Sequence, residues 1–148
     1  MGITRVAEDI FNTFRGNDPR HTLWHGHSFT ANPLGCAAAN ASLDLLEKTP
    51  QLYKEFENRH IPHLKNLAKH SKVSHPRVTG TIAAFDLVTE GEKGYLNIAG
   101  KIIKNVAISK GVLIRPLGDV VYLLPPLCIT EDQLEECYAA IESGLNAL

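Results

Sequence analysis

The residues with most chemical potential in this 148-residue chain lie in "WHGHS", where His25, Gly26, His27 and Ser28 sit together. A metal site needs three or four converging ligands, and the other close histidine pair, His60 and His63, lies some thirty residues on with no Cys, Asp or Glu at a diagnostic spacing. The pattern therefore predicts no metal. A hydrolase would use Ser28 as nucleophile with His25 or His27 as base, but "GHSFT" lacks the second glycine of a nucleophile elbow. A third reading is a donor set for an anion. Gly26 permits close approach, Ser28 offers a hydroxyl, and a helix start at Asn32-Pro33 follows with the positive end of its dipole. A plain loop with surface histidines is the alternative.

Arg115 closes "GVLIR" inside the apolar run "GVLIRPLGDVVYLLPP", where a long cation is out of place unless it holds a carboxylate or phosphate. Asp119 would be its partner in an ordinary ion pair. Tyr122, in the next apolar run, is either core packing or a phenol facing the same ligand. Glu131, Asp132, Glu135 and Glu136 crowd the start of the last helix and read as a solvated face favoured by the helix dipole.

These residues need elements to place them. "ITRVAEDIFNTF" reads as a short helix with Val6, Ile10 and Phe14 on one side, ended by "RGNDPRH". Asn32 and Pro33 have the chemistry of an N-cap and first helical position, and Leu34, Ala37, Ala38, Ala41 and Leu45 then share a face. "EKTP" stops this helix, and Pro50 opens another in which Pro62 would disturb the hydrogen-bond ladder. From "PRVTGTIAAFDLV" the period becomes two, with Ala83, Phe85 and Leu87 alternating, and "TEGEKG" reads as a turn. Leu96, Ala99, Ile103, Val106 and Ala107 make a helical face stopped by Gly111. "VLIR" and "VVYLL" read as strands around a "PLGD" turn. Thr130 and Gln133 form a capping box for a last helix burying Leu134, Cys137, Tyr138, Ile141 and Leu145. The order helix, strand, strand, helix, strand, strand, helix predicts an α+β fold, a two-layer one with helices on one face of a small, mainly antiparallel sheet. The first thirty residues supply no strand and look like the end of something else.

Composition narrows the class. Hydrophobic residues at 44%, charged residues at 21% and a formal net charge of -1 describe a globular protein with no basic excess, which argues against nucleic acid as a partner. Three widely spaced cysteines, Cys36, Cys128 and Cys137, suit a reducing cytoplasm better than a disulfide scaffold. No apolar run reaches the roughly 18 residues of a membrane span, and the acidic N-terminal stretch does not resemble a signal peptide.

"WHGHSFTANPLGCAAANASLDLLE", "RVTGTIAAFDL" and "GVLIRPLGDVVYLLPPLCITEDQL", in this order, strongly resemble the C-terminal part of the class III aminotransferases, which use pyridoxal 5'-phosphate. Within the class the likeness is greatest to members that aminate 8-amino-7-oxononanoate in biotin synthesis, and Tyr122, seven positions after Arg115, tilts it there. Relatives acting on other omega-amines remain the alternative, as does a free-standing module that binds a carboxylate through Arg115.

The resemblance implies a fold type I small domain at residues 50–148, a bridging helix at 32–49 and a remnant of the large cofactor-binding domain at 1–31. It implies that Ser28, with Gly26 and His27 beside it, meets the cofactor phosphate of the neighbouring subunit of a homodimer. It also implies that Arg115 clamps the substrate carboxylate and that Tyr122 lies near the substrate. The Schiff-base lysine of this class belongs to a stretch upstream of "HGH", so no catalytic residue is expected here, and the chain alone is expected to bind the cofactor poorly and to lack transaminase activity. It reads as about the last third of its parent, with Met1 not the parent's natural start. The amino donor, S-adenosylmethionine or lysine, stays open.

Overall fold

A computed structural model describes residues 2–90, 94, 95 and 97–148. Leu96 and part of the expected "TEGEKG" turn, residues 91–93, lie outside the described residues. The chain separates into two compact units, Met1–Pro50 and Gln51–Leu148.

The first unit holds helix α1, Glu8–Thr13, a single 3-10 turn at Pro19–His21, and helix α2, Pro33–Lys48. Helix α1 is much shorter than the expected span. Ala7 at its N-cap has no side chain to satisfy the free N–H groups, and Val6 and Phe14 fall outside the helix. Helix α2 begins where the sequence places it: the Asn32 Oδ1 accepts the Gly35 N–H at 2.7 Å, and Pro33 occupies the first turn. The expected apolar face of α2 is not buried. Leu34, Ala37, Ala38, Ala41 and Leu45 are all exposed, because nothing in residues 2–50 forms a core.

The second unit contains α3 (Leu52–Leu67), β1 (Val73–Thr79), β2 (Ile82–Leu87), α4 (Ala99–Ser109), β3 (Val120–Leu123) and α5 (Glu131–Asn146). The strands form one antiparallel sheet in the order β1-β2-β3. Ala83, Phe85 and Leu87 of β2, with Val121 and Leu123 of β3, turn one face to Leu64 and Leu67 of α3, Ile103 and Ala107 of α4, and Leu134, Ile141 and Leu145 of α5. This is the expected α+β arrangement of helices on one sheet face. Gly144 permits the close packing of α5 on α4, since a Cβ there would lie 2.8 Å from Ile103 Cγ2.

Helix α3 opens at Leu52 and runs through Pro62 as one element. β1 begins at Val73, earlier than the pattern suggests. It carries a bulge between Ser74 and Arg77, where His75 takes a positive φ of 48° and Pro76, which has no N–H for a ladder, sits. Helix α4 ends at the expected glycine, Gly111, with φ of 82°. Helix α5 has the complete capping box of Thr130 and Gln133. It buries Leu134, Tyr138, Ile141 and Leu145, while Cys137, expected among them, is only half-buried.

Among the described residues the sheet has one strand fewer than expected. "VLIR" is not a strand. Its in-out alternation is present, with Ile114 buried and Leu113 exposed, but pairing with β3 is confined to a single bridge, Leu117 to Val120, across the Gly118-Asp119 turn. Arg115 and Tyr122, the next pair that would exchange backbone bonds in an antiparallel ladder, exchange none, and the two segments part there. Alternation reports which side chains are buried; a ladder also needs a partner backbone at about 4.8 Å.

No helix among the described residues is long and apolar enough to cross a membrane.

Candidate functional site

Where "VLIR" and β3 part, an open groove of about 530 Å³ forms, lined by Gly111–Arg115 on one side and Tyr122–Pro126 on the other, with Ile129, Gln133, Glu136 and Cys137 completing it. The missing strand pairing thus makes the cavity. Arg115 and Tyr122 line it together. Ile114, buried immediately before Arg115, and Pro116, with its fixed φ, immediately after it, hold the arginine backbone in place. Tyr122 stands opposite Ala84 in the β2-β3 register, out of phase with the buried Val121 and Leu123, so its half-buried ring belongs to the sheet face turned away from the core.

Arg115 is exposed, and among the described residues no carboxylate lies within ion-pair distance of it. The expected alternative partner, Asp119, is engaged elsewhere: its Oδ2 accepts the Gly94 N–H at 2.8 Å. A guanidinium at the rim of an otherwise largely aliphatic groove is suited to a ligand with a carboxylate head and a hydrocarbon body.

Gly26, His27 and Ser28 belong to the first unit. All three are exposed, and a Cβ added at Gly26 would meet nothing within 4 Å. The Ser28 side chain makes no hydrogen bond among the described residues, which leaves its hydroxyl available to a phosphate oxygen. Part of the expected donor set is already used: the His27 N–H donates to Thr30 Oγ1, and Asn32 takes the Gly35 N–H at the start of α2. His27 stacks on Phe29 at 4.9 Å, with His25 edge-on to it. Ala31 takes a positive φ of 55° just before the N-cap, which no sequence signal indicated. The loop therefore fits a phosphate through the Ser28 hydroxyl and the open backbone at Gly26 better than through the α2 terminus.

Among the described residues no group of three or more His, Cys, Asp or Glu is placed to hold a metal ion. His60 is fully buried. Its Nε2–H donates to the Thr81 carbonyl at 3.2 Å, so Nδ1 is the acceptor for the Tyr138 hydroxyl at 2.7 Å. Burial pushes the His60 pKa below its usual value, against the bond to Thr81, and pushes the Tyr138 phenol well above the usual tyrosine range. His63 stacks on Tyr138 at 4.3 Å. The acidic cluster on α5 is exposed as expected, and Glu131 pairs with Arg59, whose Nη2 also donates to the Ile129 carbonyl at 3.0 Å.

A three-strand antiparallel sheet under helices, with an arginine and a tyrosine beside an aliphatic groove, is the frame that comparison with known proteins places in a family. The model of the family described as aminotransferase class-III matches residues 3–145, and the chain belongs to that family, whose members depend on pyridoxal 5'-phosphate. Among similar proteins, the adenosylmethionine-8-amino-7-oxononanoate aminotransferase of Synechococcus elongatus is 49% identical over the whole chain, which covers 35% of that protein. The enzyme of the same name from Geobacter sulfurreducens is 33% identical, again over the whole chain and 34% of the relative. The crystal structure of the Methanocaldococcus jannaschii enzyme of that name superposes with a TM-score of 0.77 at 29% identity, over 95% of this chain and 34% of that one. The chain thus spans about a third of the length of the relatives it matches.

Proposed function

We propose that this chain is the C-terminal part of a pyridoxal 5'-phosphate-dependent aminotransferase that transfers an amino group, from S-adenosylmethionine in the favoured reading, to 8-amino-7-oxononanoate. The observation that carries the reading is Arg115 without a carboxylate partner among the described residues, standing with Tyr122 on a largely aliphatic groove. The acceptor has that shape: a terminal carboxylate on a hydrocarbon chain. The names of the relatives support the same substrate.

The bound cofactor supplies the electron sink that lets an amino group move between two carbon skeletons. The residues of this chain bind and orient. Arg115 holds the substrate carboxylate through a planar two-point contact, which fixes the distance of the keto group from the reacting centre. Tyr122 packs beside the substrate chain. Ser28 donates its hydroxyl to the cofactor phosphate of the partner subunit of a homodimer, with Gly26 allowing the approach and His27 shaping the loop. Residues 1–31 then belong to the large domain, 32–49 bridge, and 50–148 form the small domain. The proton-carrying lysine comes from the remainder of the parent, so the chain alone is inactive and holds the cofactor poorly.

Two experiments test this. Mixing the chain with pyridoxal 5'-phosphate, reducing with borohydride and mapping peptides by mass spectrometry is expected to yield no stoichiometric single-site adduct; a clean adduct on one lysine away from Lys101 and Lys104, such as Lys110, would overturn the division of labour. For the substrate, residues 1–148 replace the matching third of the Synechococcus relative in a strain that lacks this step. Growth without biotin is expected, with Arg115→Ala abolishing it; no growth from a folded hybrid would count against the assignment.

A further inference from the structure

Arg115 lines a second cavity, of about 390 Å³, whose other lining residues are Tyr95, Asn97, Gly100, Lys101, Lys104, Pro116 and Gly118. The two cavities share Arg115 and no other lining residue. Two lysines and an arginine therefore line this space, with no carboxylate among its described lining residues. Helix α4 offers them no relief: Lys101 and Lys104 are one turn apart, every charged residue within it is a lysine, and neither forms an ion pair among the described residues. The nearest acid in sequence to Arg115, Asp119, is committed to the Gly94 N–H.

The backbone is shaped to bring these cations together. A Cβ at Gly100 would lie 2.9 Å from Pro116 Cβ and in collision with the Gly118 carbonyl, so only glycine lets the first turn of α4 come this close to the segment that carries Arg115. Gly118, at φ 63°, is likewise enclosed by the backbone of Gly94 and Tyr95. Asn97, which is buried, is held by two hydrogen bonds, from its Nδ2 to Thr89 Oγ1 at 2.6 Å and from the Ala99 N–H to its Oδ1 at 2.9 Å, and so fixes the entry to α4.

We propose that the cavity between Lys101, Lys104 and Arg115 binds the phosphate group of a small phosphorylated molecule. Three like charges bordering one space repel one another, and a monocarboxylate would offset only one of them. A phosphate monoester carries close to two charges near neutral pH and presents three terminal oxygens, one for each cation. This goes beyond the amine-transfer reading, which uses Arg115 only from its groove side.

Equilibrium dialysis of the full chain against radiolabelled inorganic phosphate, at constant ionic strength set with chloride, tests the site. Saturable binding at one phosphate per chain is expected, weakened about tenfold or more in Lys101→Gln/Lys104→Gln. The single exposed variant Lys101→Gln is expected to weaken it in part, and keeps the test decisive should the double variant misfold. Non-saturable uptake, binding that ignores both substitutions, or preference for succinate over phosphate would overturn the proposal. The hybrid-enzyme growth assay does not depend on this result, so each reading can fail separately.

Discussion

Residues 2–50 and residues 51–148 draw on the same alphabet and stand on different physics. In the first region no residue is buried, although it is rich in apolar side chains; Trp24 is 82% exposed and Leu34 85%. In the second, Ile103, Ala107, Val121, Leu134 and Leu145 are wholly excluded from solvent within one continuous cluster. Helix α2, made largely of alanine and leucine and capped by Asn32, has sound local credentials, yet it buries no residue. Cap and propensity suffice to specify a helix; they do not supply the burial that makes one stable. The "WHGHS" loop thus lies in the region that buries no residue.

The largest effects should separate these regions. Leu134→Ala, at a fully buried position of α5 in the core cluster, is expected to cost about 2–5 kcal/mol in urea unfolding of the chain. Leu34→Ala removes the same atoms from an exposed position and should stay within about 0.5 kcal/mol. Equal losses from the two would break the comparison, because they would place Leu34 in a cooperative core.

An intermediate effect is expected at the buried polar contact that joins α3, α5 and the β1-β2 turn. Tyr138→Phe leaves His60 Nδ1 buried without a donor, which should cost about 1–3 kcal/mol. The same contact gives the second region its pH dependence. His60 has a depressed pKa when folded, so its contribution is fully present above the unfolded value of about 6.5 and is lost as pH falls through the lower folded value. Arg59 and His63 next to it oppose its protonation, and Glu131 favours it. Unfolding midpoints measured from pH 7.5 to 5 should fall for the parent chain and fall less for His60→Gln. A flat profile for both would remove His60 from the account.

Much of this was legible in the sequence because it is local or periodic. The α2 cap at Asn32, the α5 capping box, the stop at Gly111 and the alternating Ala83, Phe85 and Leu87 all rest on side-chain chemistry within a few residues, and each is found where the pattern puts it. "VLIR" misled because alternation of burial survives without a ladder. The α2 face misled because an apolar stripe shows what a helix is able to bury, and what covers it is a question for the rest of the fold. At the groove, the types of Arg115 and Tyr122 were readable, while their shared cavity depends on how β3 and the preceding segment diverge. Lys101 and Lys104 belong to no motif in the sequence. Only the approach of α4 to the Gly118 turn sets them beside Arg115, and Gly100, where a Cβ would collide with the Gly118 carbonyl, permits it.

The smallest expected effects sharpen the comparison furthest, because the same chemical change is made in both regions. Thr130→Ala and Asn32→Ala each remove an oxygen that accepts a backbone N–H at the start of a sixteen-residue helix, and each should cost its helix about 1 kcal/mol. Their readouts should differ. Helix α5 is welded to the core through Leu134, Ile141 and Leu145, so the loss at Thr130 should appear as a lower midpoint of cooperative unfolding with native helicity unchanged. Helix α2 buries no residue, so the loss at Asn32 should appear as reduced helical circular dichroism in the native chain, with the cooperative midpoint unmoved. A shared drop in midpoint would mean that α2 unfolds together with the core, and the two-region account would have to be given up.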